Sequence, residues 1–113
     1  MRRLVKPSLV SGAVQAPPSK SVAKRAIAMA TLANGVTEIY NPGNSNDSKA
    51  AVEICRALGA SIAEYPGKLV VTGGLQQPSQ ILNCGESGLG IRMFSAIAST
   101  FSAGVTLTGT GTL

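Results

Sequence analysis

PPSKSVAKRAIAMATLANG, residues Pro17 to Gly35, is the stretch from which the rest of the chain is best read. Two prolines disfavour helix up to the residue before them, and Ser19 then has the side chain of an N-cap. From there the spacing predicts a helix to about Ala33, with Val22, Ala26, Met29, Ala30 and Ala33 on one buried stripe. Asn34-Gly35 supplies a C-cap pair. The first turns of this helix carry Lys20, Lys24 and Arg25 and no acid. Aligned peptide dipoles leave partial positive charge at a helix N-terminus, so three cations there are locally unfavourable. An external anion resolves the conflict.

Outward from this helix, VTEIY alternates as a strand, NPGNSND is a loop dense in turn residues, and SKAAVEICRALG reads as a second helix. Val52, Cys55 and Leu58 form its buried side, and Gly59 closes it. ASIAEY and KLVVTGG are two strands joined by a Pro66-Gly67 turn. QILNC is a further short strand, GESGLG turns the chain into a third helix, IRMFSAIASTFSA, ended by Gly104, and GVTLTG is the last strand. The fold class is α/β (α+β). ANGVTEI and SAGVTLT repeat one helix-to-strand passage about seventy residues apart.

The 113 residues amount to about one ordinary domain, 44% hydrophobic and 13% charged, which excludes a disordered chain. A formal charge of +5 points to anionic partners. Two Tyr, two Phe and no Trp count against a surface that stacks nucleic-acid bases, which leaves small phosphorylated ligands ahead and predicts no nucleic-acid partner. With no His, and with Cys55 and Cys84 far apart, neither a zinc site nor Ser-His or Cys-His nucleophilic catalysis can be built from this chain. The cysteines read as reduced core residues of a cytoplasmic protein. Lys6 and Pro7 interrupt the apolar run of MRRLVKPSLV before a signal-peptide core forms, and no membrane partner is expected.

Lys20 and Lys24 are four residues apart, as are Ser21 and Arg25, so the four share one surface at the helix start. Backbone amides and Ser donate hydrogen bonds, Lys supplies point charge, and Arg binds a phosphate or carboxylate bidentately. Lys20, Ser21 and Arg25 are expected to form the anion site, with Lys24 pointing to water. CGESGLGIR places Gly88 and Gly90 in a second concavity lined by amides, equally readable as a structural tight turn. Its glycine order matches neither the dinucleotide nor the P-loop fingerprint. Asp47 reads as a helix cap, and Glu38, Glu53 and Glu64 as surface charges. No pair of catalytic carboxylates is visible.

Taken in order, PPSKSVAKRAIAMATLANG, NSNDSKAAVEICRALGASI, CGESGLGIRMFSAIAS and GVTLTGTGTL resemble the N-terminal part of the EPSP synthase family, the 3-phosphoshikimate 1-carboxyvinyltransferases of the shikimate pathway. The resemblance runs over nearly the whole chain from Val14. It implies a fold of repeated βαβαββ units, an inside-out α/β prism in two domains with the active site between them. Residues 1–16 would be a strand segment of the other domain, 17–77 the first unit and 78–113 the start of a second. It implies transfer of an enolpyruvyl group from phosphoenolpyruvate to the 5-hydroxyl of shikimate 3-phosphate, without metal or organic cofactor, by a monomeric cytoplasmic parent that is a glyphosate target. Lys20 would touch both substrates, Ser21 and Arg25 would hold shikimate 3-phosphate, and Gly88 would lie at the phosphoenolpyruvate site. Asp47, Glu86 and Arg92 would stand behind these.

The chain departs from the family pattern Asn-Ala-Gly-Thr, having Glu86-Ser87-Gly88-Leu89 instead, which leaves the role of Glu86 and glyphosate sensitivity open. The chain is expected to be a fragment with no turnover alone, its general acid and base lying elsewhere. The related UDP-N-acetylglucosamine enolpyruvyl transferases usually have Lys-Asn where this chain has Lys20-Ser21, which favours the shikimate enzyme. A non-catalytic module for phosphate or nucleic acid is the alternative from another class.

Overall fold

The computed structural model describes residues 1–111 and 113. Eight elements follow in order: α1 (Lys20–Leu32), β1 (Val36–Tyr40), α2 (Asn46–Ala57), β2 (Ser61–Tyr65), β3 (Lys68–Thr72), β4 (Leu82–Asn83), α3 (Gly88–Ala98) and β5 (Leu107–Thr108). Residues 1–19 form neither helix nor strand, and Leu4, Val5, Leu9, Val10 and Val14 are all exposed.

β3 is the centre of a three-stranded antiparallel sheet in the order β1-β3-β2. Its register pairs Ile39 with Leu69 and Ile62 with Val71. Side chains alternate across a strand, so these four form one apolar face, while Glu38, Tyr40, Tyr65 and Lys68 lie on the other. Helices α1 and α2 pack on the apolar face and on each other. β4 and β5 are parallel, joined by α3 as a crossover, with Leu82 opposite Leu107. One core spans both sheets: Ile27, Leu58, Val71, Leu82, Cys84 and Phe94 are at most 1% exposed. Fully burying an aliphatic or aromatic side chain of this size contributes roughly 1.5–3 kcal/mol.

α1 turns a different face inward from the one its spacing suggested. The buried residues are Ala23, Lys24, Ile27, Ala28, Ala30 and Thr31, whereas Val22 and Met29 are 64% and 69% exposed. Both faces repeat at helical intervals, and the alanine-rich one lets α2 and the sheet approach closely; periodicity alone does not choose between them. α2 begins at Asn46 with Ser45 as its cap, the Ser45 hydroxyl accepting from the Ser48 amide at 3.1 Å. Asp47 is therefore not the cap and sits in the first turn. α3 stops at Ala98, short of the predicted end. Ser99 and Thr100 turn their hydroxyls onto the carbonyls of Ala96 and Ile97, both at 2.7 Å, a local bonding pattern that competes with continued helix.

The far end of α1 is fixed by backbone contact. Gly73 and Gly74 donate to the carbonyls of Gly35 and Thr31, each at 2.9 Å. A Cβ at Gly73 would overlap the carbonyl oxygens of Ala33 and Ala30. Only glycine allows β3 to run out against the helix end in this way.

Candidate functional site

Ser19 caps α1, its hydroxyl accepting from the Val22 amide at 3.4 Å, and the first turn holds no acid. Lys20, Ser21 and Arg25 project from this end and are exposed. None of the three makes a side-chain hydrogen bond or ion pair among the described residues. A hydroxyl, an ammonium and a guanidinium thus remain available beside the free amides of a helix start, a donor set that suits a phosphate.

Lys24 does not join them. Only 4% exposed, its Nζ donates to Asp47 Oδ2 and to Ser87 Oγ, both at 2.8 Å. It lies on the same inward face as Ile27, Ala28 and Thr31, and a buried ammonium needs an opposite charge and hydrogen-bond acceptors. The α1 stripe would have found it had Ala23 and Ile27 been chosen as the core face. Asp47, in the first turn of α2, supplies the charge, and its hydrogen bond from Lys24 holds its carboxyl below the usual value against the opposing effect of burial. The charges of Lys24 and Lys20 add to this effect.

Ser87 caps α3, its hydroxyl accepting from the Gly90 amide at 2.9 Å. Through Lys24, the starts of all three helices are therefore tied together. Ser87 carries no role in the sequence reading; its signal is a Ser one residue before the glycine that opens an apolar helical run. Gly88 is the first residue of α3, and Arg92 folds back so that its Nε donates to the Gly88 carbonyl at 2.7 Å. A cation thus lies beside the first turn of α3.

Glu86 is exposed and lies against the backbone of Gly111, where a Cβ would overlap its carboxylate. A cleft of about 310 Å³ runs between Glu86 and Asp47, lined also by Asn46, Ala50, Gly85 and Thr110. Two carboxylates in its wall repel an anion. A second hollow of about 220 Å³, bordered by Pro42, Lys49, Glu53 and Glu64, includes none of the predicted site residues. Among the described residues no cluster of three or more His, Cys, Asp or Glu is placed to hold a metal ion. Cys55 and Cys84 are free and buried, and burial pushes the Cys55 thiol up to about 11. Among the described residues no helix is long and apolar enough to cross a membrane.

Comparison with known proteins places the chain in one family. The family model described as EPSP synthase (3-phosphoshikimate 1-carboxyvinyltransferase) matches residues 4–113. The 3-phosphoshikimate 1-carboxyvinyltransferase of Chlamydia felis is 43% identical over 112 residues, covering 96% of this chain and 25% of that protein. The protein of the same name from Methanocorpusculum labreanum is 37% identical over 117 residues, covering 100% of this chain and 28% of its own length. The solved EPSP synthase from Acinetobacter baumannii superimposes with a TM-score of 0.77 at 29% identity, over 90% of this chain and 24% of that one. The chain spans about a quarter of the length of these relatives. By its sequence and by its enolpyruvyl transferase fold, the chain belongs to the EPSP synthase family.

Proposed function

We propose that the chain supplies part of an enzyme that transfers the enolpyruvyl group of phosphoenolpyruvate to the 5-hydroxyl of shikimate 3-phosphate. The hydroxyl oxygen gives up its proton and adds to the phosphate-bearing carbon of phosphoenolpyruvate, and the adjacent methylene gains a proton to become a methyl group. Loss of a proton from that carbon and departure of phosphate then restore the double bond. Charge develops on oxygens throughout, so preorganised donors and cations are the contribution this chain is suited to make. Ser21 and Arg25 hold the 3-phosphate group, Lys20 contacts both substrates, and Gly88 lets phosphoenolpyruvate approach the amides that open α3. Arg92 supports that second subsite, with Asp47 and Glu86 outside the contact layer.

One observation carries this reading: in a chain of this family, Lys20, Ser21 and Arg25 stand exposed and uncommitted at a helix start without an acid in its first turn. In the same reading residues 1–16 pack with the other domain of the enzyme, residues 17–77 form one repeat unit and residues 78–113 open the next. The enzyme is a cytoplasmic monomer, and the general acid and base lie outside this chain, which has no turnover by itself.

The test is an amide-resolved NMR titration with shikimate 3-phosphate, with shikimate as control. Shifts centred on Ser21 and Arg25 that shikimate does not produce are expected. A well-dispersed spectrum indifferent to the phosphorylated ligand would overturn the assignment of these three residues.

A further inference from the structure

We propose that Lys24 is a positioning residue for shikimate 3-phosphate: tied to α2 and α3, its ammonium sets the angle at which α1 presents Ser21 and Arg25 to the phosphate group, which Lys24 itself does not touch. The proposal rests on the reading of Lys20, Ser21 and Arg25 as the site for that substrate.

The argument is one of rotation. Ser21 and Arg25 lie within one turn of Lys24, so all three move together when α1 turns about its axis. Side-chain ends stand about 6 Å from a helix axis, and a turn of about 20° sweeps them by about 2 Å. Hydrogen bonds from nitrogen to oxygen span only about 2.7–3.2 Å, so such a sweep breaks them.

Little besides Lys24 opposes that turn. Near its start the inward face of α1 is smooth, with Ala23 and Ala28 buried and Ile27 as its large apolar side chain. Alanine ridges are low and interlock little with a neighbouring helix. The backbone contacts of Gly73 and Gly74 hold the opposite end, at Gly35 and Thr31. Thr31 is about 10 Å along the axis from Lys24.

Within the first two turns of α1, Lys24 makes the only side-chain hydrogen bonds to another element among the described residues. Its Nζ donates to Asp47 Oδ2 on α2 and to Ser87 Oγ at the start of α3, each at 2.8 Å. Acceptors on two separate elements fix the ammonium in two directions. Lys24 is only 4% exposed, so a turn that broke these bonds would leave a buried charge without partners. The charge itself resists rotation.

The experiment measures shikimate 3-phosphate affinity from the amide shifts of Ser21 and Arg25 in the whole chain. Wild type is compared with Lys24→Met, Arg25→Ala and the double variant. Lys24→Met is expected to weaken binding about ten-fold although it removes no ligand contact. Where Arg25 is already gone, the same change should cost only about two-fold, because a residue it positions is absent. Residual dipolar couplings of the amides of residues 20–25, referred to those of β3, should report the turned helix start. A lysine that only stabilises the fold lowers the melting temperature and leaves affinity and couplings unchanged. That result, or equal losses with and without Arg25, overturns the proposal.

If Lys24→Met does not fold, Ser87→Ala takes its place. It removes one of the two acceptors, keeps the Asp47 ion pair, and lies on a different helix from Ser21 and Arg25. A loss of about three-fold in shikimate 3-phosphate affinity is expected, and wild-type affinity overturns the proposal. The two readings fail in different ways. Wild-type Ser21 and Arg25 amides that ignore the ligand overturn the substrate site and the proposal together, whereas wild-type binding that neither variant alters overturns the proposal alone.

Discussion

Lys24 and Arg25 are neighbours in sequence and opposites in circumstance. Arg25 extends from the first turns of α1 without a partner among the described residues, while Lys24 is buried and tied to two other helices. A helix turn of 100° per residue is enough to separate an exposed cation from one committed to the fold. The contrast shows that a cluster of basic residues in sequence is not a single electrostatic unit. Part of it holds the scaffold, and part is left free by the scaffold.

The sharpest break of this comparison is Asp47→Asn. It leaves the Lys24 ammonium buried without its counter-charge, and a loss of about 3 kcal/mol is expected in urea unfolding. A change below about 1 kcal/mol would show that Lys24 finds another partner. Next is Arg25→Ala. Stability should stay within about 0.5 kcal/mol, as for other exposed sites, while shikimate 3-phosphate affinity falls ten-fold or more. Equal losses of stability and affinity would erase the distinction between the two residues.

Lys24→Met removes the buried charge together with its desolvation and keeps most of the side-chain volume. Asp47, about a quarter exposed, can then take up water, so a cost near 1 kcal/mol is expected, less than for Asp47→Asn. The smallest effect is the response to acid. Asp47 has a folded value held below its ordinary 3.8, so its contribution is present above 3.8 and is lost as pH falls through the lower folded value. Wild type should therefore lose stability more steeply below pH 3.8 than Asp47→Asn does. Parallel acid curves would place the pair outside the stability of the fold.

Much of the first sheet was legible because its signals are local. VTEIY alternates along its length, and Pro66-Gly67 joins SIAEY to KLVVT. The helix start at Ser19 carries a recognisable cap residue, whereas α3 opens at Gly88, ahead of its expected start at Ile91. Lys20, Ser21 and Arg25 were legible for a similar reason: their grouping contradicts the helix dipole within a few residues. What escaped was set by distance in sequence. Nothing near Lys24 announces Ser87, 63 residues on, and nothing near Asp47 announces a lysine in the preceding helix. The inward face of α1 was misread because choosing between Val22-Met29 and Ala23-Ile27-Ala28 requires knowing how closely α2 approaches. The end of α3 was misjudged because Ser99 and Thr100 act through hydroxyl geometry, which an apolar pattern does not register.

The packing of Gly73 on the end of α1 has a mechanical consequence. Backbone rests on backbone there, with no side chain to yield, so α1 is held as a cantilever is, clamped at Ala30 to Ala33 and loaded at Lys20 to Arg25. A ligand that pulls on the loaded end cannot slide the helix along its axis without dragging β3 with it. Force applied at the exposed start of α1 is thereby carried straight into the three-stranded sheet.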